Sequence, residues 1–187
     1  IIDYPRAIGI DDEALRTIQT AGLADEVAAH ITPDHWMRFF TADGQCFASI
    51  EPRTDEFGWS RRNAFIQPQV DNILYQGLKR FAHVDTLFDH GVTGITQDAD
   101  GVTATLSGDA GDSQVRCRCL LGADGAHSLV RKSLGLSFEG GAFDEQYMLG
   151  DVEVDWSLPH DLAVRSMHQT DGRTDDGLVC VPLPGRG

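Results

Sequence analysis

The stretch Gly122-Ala-Asp124-Gly125-Ala-His127-Ser128-Leu-Val-Arg131 brings a carboxylate, a glycine, a hydroxyl and a guanidinium into one short segment. It follows a strand-like run from Val115 to Leu121 and precedes a short helical pattern that Gly135 ends. A strand that turns sharply at glycine into a helix collects unpaired backbone N–H groups at one point, and such a point attracts phosphate or other polar cofactor groups. Asp124 can accept hydrogen bonds from ribose hydroxyls, Gly125 leaves the backbone open to close approach, and Arg131 can meet an anion. A plainer reading stands beside this one. Asp-Gly before a helix is a common turn, and Ser128 to Arg131 also fit as ordinary first-turn residues.

Other side chains capable of chemistry are dispersed. The seven histidines show no HxxxH or HxH spacing, and Cys46, Cys117, Cys119 and Cys180 include no CxxC pair, so no metal site is expected. Cys117 and Cys119 alternate along the Val115–Leu121 run with both thiols on one face, a poor arrangement for a disulfide. A reduced, cytoplasmic protein fits this usage. His127 reads as solvent-facing, and Trp36, Trp59 and Trp156 read as packing residues.

The elements that must position these residues follow from periodicity. Asp11 and Asp12 precede a helical pattern carrying Leu15 and Ile18 on one face, with Gly22 as its stop. Trp36 to Thr41 and Gln45 to Ile50 flank Asp43-Gly44, which predicts a hairpin, and Glu51 to Asn63 is polar and irregular. After Pro68, the spacing of Val70, Ile73, Leu74, Leu78 and Phe81 predicts a second helix with a buried stripe. Strands are expected at Val84–Phe88, Val92–Thr96 and Val102–Leu106, the last two joined at Asp100-Gly101. Further strands are expected at Tyr147–Trp156, Ala163–His168 and Leu178–Pro182.

The Gly122–Arg131 string resembles the second flavin fingerprint, DGxxSxxR, of the class A FAD-dependent aromatic hydroxylases (flavoprotein monooxygenases). Two other segments resemble family landmarks in the same order. Tyr4-Pro-Arg6-Ala-Ile-Gly-Ile-Asp-Asp-Glu looks like the loop and helix after the second Rossmann strand, which places a flavin-contacting arginine at Arg6. Asn63-Ala-Phe-Ile-Gln67-Pro looks like the segment where a glutamine meets FAD at a helix start, which falls on Gln67. These runs are most similar to the 3-(3-hydroxyphenyl)propionate/3-hydroxycinnamate hydroxylase branch. The resemblance implies FAD as cofactor, NADH or NADPH as reductant, and hydroxylation of a small phenolic acid with O2. It implies cofactor contacts for Arg6, Gln67, Asp124, Gly125, Ser128 and Arg131. The flavin carries the hard chemistry in that family, so no residue is assigned as acid, base or nucleophile. Arg61 and Arg62 read equally as partners of a substrate carboxylate or flavin and as a solvated loop pair.

The totals narrow the partners. A formal net charge of -14, from 15 Lys and Arg against 29 Asp and Glu, disfavours nucleic acid. No apolar stretch approaches a membrane span, and the first residues lack a signal-peptide layout. A homo-oligomer stays open. The expected fold is α/β: a partial Rossmann-like FAD-binding domain (1–30 and 65–140) interleaved with a β-rich substrate domain (31–64 and 141–187). The family's GxGxxG unit does not occur, and its later Gly-Asp motif would fall beyond Gly187, so the sequence reads as an internal fragment that is inactive alone. Two alternatives are a non-catalytic nucleotide-binding or interaction module derived from a hydroxylase, and another flavoenzyme of this fold. A halogenase would carry a WxWxIP run, which is absent.

Overall fold

The computed structural model describes residues 2–4, 6–51, 54–142, 144, 146–155, 157–170 and 173–184. The chain forms two compact units, residues 1–84 with 152–187, and residues 85–151.

In the first unit, β1 (Gly9–Asp11) leads directly into α1 (Asp12–Thr20), and the Asp11 carboxylate caps the helix by accepting from the Ala14 amide at 2.8 Å. α2 (Ala24–Ala28), β2 (Ile31–Thr32), β3 (Trp36–Thr41), β4 (Cys46–Ile50), β5 (Arg62–Phe65) and α3 (Gln67–Leu78) follow. β1 and β2 flank β5, both antiparallel to it. Ile10, Leu15, Val27, Phe65 and Val70 form the core, with Ala14, Ile18, Ile31, Trp59, Ile73 and Leu74 packed around it. Pro68 sits in the first turn of α3, where its missing N–H costs no helix bond. The predicted α3 stripe holds at Val70, Ile73 and Leu74 but not at its far end: Leu78 and Phe81 are exposed, and the helix ends at Leu78, so that Phe81 is no longer on it.

A four-stranded sheet in order β10-β9-β3-β4 completes this unit, with β9 (Leu162–Thr170) and β10 (Arg173–Cys180). The hairpin at Asp43-Gly44 joins β3 to β4, and β3 runs parallel to β9, so that Arg38 lies opposite Val164 and Phe40 opposite Ser166. Every residue of β3 is half-buried, as suits a strand whose apolar residues fall on both faces.

In the second unit, β6 (Gly91–Asp98), β7 (Gly101–Gly108) and β8 (Gly111–Cys117) form an antiparallel meander, followed by α4 (Leu129–Ser133). On β7 the alternate residues Val102, Ala104 and Leu106 are buried, the pattern of a sheet with one covered face.

Three strand expectations need correction. Val84–Phe88 and the described part of Tyr147–Trp156 are not strands, and the Val115 strand ends at Cys117 rather than Leu121. Trp156 itself lies outside the described residues. The physical reason is shared: these runs have strand composition but no ladder partner within the described residues, and β-propensity expresses itself only on a paired, half-buried surface. Val84, Leu87, Leu121, Tyr147, Met148 and Val152 are accordingly exposed. With the strand ending at Cys117, the expected alternation of Cys117 and Cys119 on one strand face does not hold.

Candidate functional site

The residues expected to meet a cofactor fall into two groups, one in each unit. Arg6 and Gln67 belong to the first. β5 delivers the chain into α3 at Gln67, and the Gln67 side chain reaches back across some sixty positions of sequence. Its Oε1 accepts from the Arg6 amide at 3.0 Å and the Ala7 amide at 2.9 Å, and its Nε2 donates to Asp71 Oδ2 at 3.3 Å. Both lone pairs of the carbonyl oxygen are thereby occupied. Gln67 therefore fixes the backbone that enters β1, while the Arg6 side chain is exposed and forms no hydrogen bond or ion pair with a described residue. The buried Asn63 strengthens the same junction, its Nδ2 donating to the Ile10 carbonyl at 3.0 Å and the Ser60 carbonyl at 2.8 Å.

Gly125, Asp124, Ser128 and Arg131 belong to the second unit, and the structure brings them together. Asp124 Oδ1 accepts from Ser128 Oγ at 2.6 Å, and Oδ2 accepts from the amides of Leu129 (2.6 Å) and Val130 (3.2 Å). Ser128 is the N-cap of α4, its Oγ accepting from the Arg131 amide at 3.0 Å. The Ser128 hydroxyl, followed by the backbone amides, holds the Asp124 carboxyl below the usual carboxylate range. Arg131 closes the loop from the other side, donating to the Ala126 carbonyl at 2.7 Å and lying 4.7 Å above the Phe138 ring. The amides at the start of α4 are thus already satisfied by the chain itself.

Two glycines serve different ends here. A side chain at Gly122 would meet Val130 at 2.7 Å, so this glycine lets α4 pack on the segment that leads into it. Gly125 has φ of +74° and open space where a Cβ would be, so it makes the turn and leaves the backbone accessible. Within the second unit, the exposed Gly125 turn leaves open backbone that a hydroxyl-rich group such as part of FAD can approach; within the first, the exposed Arg6 guanidinium can by itself meet an anion.

His127 is exposed, as expected from the sequence. Trp59 packs against the core and donates from Nε1 to Gln19 at 3.1 Å, while Arg62 turns toward Met37 Sδ at 3.9 Å. Sequence reasoning did not find the buried His35, whose neutral form is favoured by burial and by the nearby Arg62. A single histidine before a strand carries no periodic signal. Phe138 as the partner of Arg131, and Ala7 as a partner of Gln67, were likewise illegible. Among the described residues no cluster of His, Cys, Asp or Glu converges as a metal site, and no helix is long and apolar enough to cross a membrane.

A family model described as an FAD binding domain matches residues 1–182. Among curated proteins, the chain is 61% identical over 162 residues to the 3-(3-hydroxy-phenyl)propionate/3-hydroxycinnamic acid hydroxylase of Comamonas testosteroni, covering 86% of this chain and 28% of that protein. It is 51% identical, again over 86% of its length, to the enzyme of the same name from Klebsiella pneumoniae strain 342, of which it spans 29%. The chain therefore spans under a third of the length of these relatives. The crystal structure of p-nitrophenol 4-monooxygenase PnpA from Pseudomonas putida superposes with a TM-score of 0.70 at 25% identity, over 76% of this chain and 37% of that one. The flavin-dependent monooxygenase PieE, solved with FAD and substrate, gives 0.65 at 26% identity over 75% of this chain and 27% of its own. With one family model spanning nearly all of it and solved monooxygenases sharing its fold, the chain belongs to the FAD binding domain family, among the class A flavoprotein monooxygenases.

Proposed function

We propose that this chain is part of an FAD-dependent, NAD(P)H-using monooxygenase that hydroxylates a phenolic aromatic acid such as 3-(3-hydroxyphenyl)propionate. The observation that carries the reading is identity of 51–61% to relatives of that one name, sustained over 86% of the chain. In this reading a partial Rossmann-like flavin domain, at 1–30 and 65–140, is interleaved with a β-rich substrate domain at 31–64 and 141–187. Bound FAD would supply the oxygen chemistry, which no side chain of this sequence can provide.

The work left to the chain is positioning. Gln67 holds the Arg6–Ala7 backbone in place, which sets where the Arg6 guanidinium can meet a phosphate or the flavin edge. Asp124 and Ser128 fix the turn through mutual hydrogen bonds, so that Gly125 presents accessible backbone to cofactor hydroxyls. Arg131, tied to Ala126, stiffens the loop and carries the positive charge that an incoming nicotinamide phosphate would meet.

The test is expression of the protein that carries this chain in full. The expected result is bound FAD and NADH- or NADPH-dependent O2 consumption, stimulated by a phenol bearing a short carboxylate chain and accompanied by a hydroxylated product. Bound FAD with no oxidation across a panel of phenols would overturn the substrate assignment and leave the flavin assignment standing. Isolated residues 1–187 are expected to hold FAD weakly, since no GxGxxG unit is present to bind the ADP half. Stoichiometric flavin absorbance from the isolated chain at micromolar concentration would contradict that.

A further inference from the structure

The four-stranded sheet has two faces of different chemistry, and the registers assign residues to each. On one face β3 presents Trp36, Arg38 and Phe40, with Ser49 of β4 opposite Arg38, and Val164 and Ser166 of β9 opposite Arg38 and Phe40. On the other face lie Met37, Phe39 and Thr41, with Arg165 opposite Phe39 and Met167 opposite Thr41. Each face carries one arginine on an inner strand, and neither arginine has an ion-pair partner among the described residues.

We propose that Arg38 is the specificity residue that receives the carboxylate of the aromatic acid, with Trp36 and Phe40 flanking the ring or its side chain. The inference rests on the reading of the substrate as a phenolic acid, and both compounds named for the relatives carry a carboxylate on a short chain. Three observations select Arg38 over Arg165. Arg38 stands between two aromatic residues at i−2 and i+2 on its own strand, whereas Arg165 stands between Ala163 and Met167. Its cross-strand neighbour is Ser49, a hydroxyl able to donate to the second carboxylate oxygen. The Arg165 face also holds a cavity of about 420 Å³ lined by Thr41, Ala42, Asp43, Phe47 and Met167, and the Asp43 carboxylate there opposes an anionic ligand. A half-buried guanidinium on a rigid central strand offers a carboxylate two parallel N–H donors with little conformational freedom to lose.

The test uses the flavin-loaded, full-length protein and equilibrium binding by calorimetry of two probes, 3-(3-hydroxyphenyl)propionate and the neutral 3-propylphenol. Arg38→Met is expected to weaken the acid by about one to two decades and to leave 3-propylphenol within about twofold, and Arg38→Lys is expected to recover part of the loss. Arg165→Met is expected to change neither probe. Equal loss of both probes in Arg38→Met, with lowered melting temperature and no recovery in Arg38→Lys, would make Arg38 a structural residue and overturn the proposal. Selective loss of the acid in Arg165→Met would move the anchor to the other face, which also overturns it. A wild-type protein that binds 3-propylphenol as tightly as the acid has no carboxylate subsite, so Arg38 falls while the phenol reading stands. A wild-type protein that binds neither probe removes the substrate reading and this inference together.

Discussion

The two units bury their apolar residues by different means. In the first, the core draws Ile10, Leu15, Val27, Phe65 and Val70 from two strands and three helices, and Leu15 and Val27 are wholly excluded from solvent. In the second, the buried apolar residues among those described are Val102, Ala104 and Leu106, all alternate positions of one strand. Their polar anchors differ in the same way. Gln67 captures the amides of Arg6 and Ala7 from the far end of a long loop in sequence, whereas Asp124 and Ser128 capture amides within their own turn and helix start. Long-range closure makes the first group depend on the whole unit being folded. The second is assembled by the local chain and depends far less on its surroundings.

Removing the core of the first unit should have the largest effect. Leu15→Ala deletes a wholly buried side chain and is expected to cost about 2–5 kcal/mol, read as a lower urea midpoint with an unchanged slope. Trp36 and Trp59 lie in the first unit and no tryptophan falls between residues 85 and 151, so tryptophan fluorescence reports that transition. Leu106→Ala in the second unit is expected to leave the fluorescence midpoint in place while speeding amide exchange along β7. If the two substitutions moved the fluorescence midpoint equally, the units would unfold as one and the contrast would fail.

Next in size is the long-range anchor. Gln67→Ala removes two bonds to backbone amides and one to Asp71, for an expected loss of about 1–2 kcal/mol. Hydrogen exchange at Arg6 and Ala7 should accelerate, whereas the amides of Leu129 and Val130 should be unaffected. Unchanged protection at Arg6 and Ala7 would show that β1 pairing alone holds the segment.

The buried His35 sharpens the picture by pH. Burial, then the charge of Arg62, lowers its pKa below 6.5, outweighing the Pro182 carbonyl and Asp161, which favour the proton; its Nε2 has no hydrogen-bond partner. Above pH 6.5 both folded and unfolded states hold a neutral ring and the full stability is present. As pH falls from 6.5 toward the lowered folded value, the unfolded chain takes up the proton first and stability declines. His35→Gln should flatten the melting temperature of the first unit between pH 7 and 5. A slope that persists in the variant assigns the effect to another group.

Asp124→Ala is expected to have the smallest effect on stability, since its contacts are local and solvent-exposed. In the flavin-loaded full-length protein, a cofactor role for Asp124 predicts FAD affinity weaker by about one to two decades. A lower melting temperature with unchanged FAD affinity would leave Asp124 as a helix-capping residue alone. Because hydrogen bonds hold its pKa below the usual 3.8, the stability Asp124 contributes is present above that pH and fades as pH falls through the folded value.

Much of this molecule could be read before any coordinates. The cap at Asp11, the hairpin at Asp43-Gly44, the helix start beside Pro68, the strand at Val102–Leu106 and the turn into α4 depend on residues within a few positions of one another. Backbone sterics, capping and side-chain periodicity act at that range, so the sequence alone determined them. Tertiary structure decided the rest. Val84–Phe88 and Cys119–Leu121 have the composition of strands, yet a strand exists only where a second chain segment pairs with it in a ladder, and no such segment is found among the described residues. The hold of Gln67 on Arg6, the placement of Arg38 beside Val164, and the proximity of Arg62 to the buried His35 each join residues far apart in sequence. No local pattern encodes such a meeting; only the register of the sheets and the closure of the core bring those groups side by side.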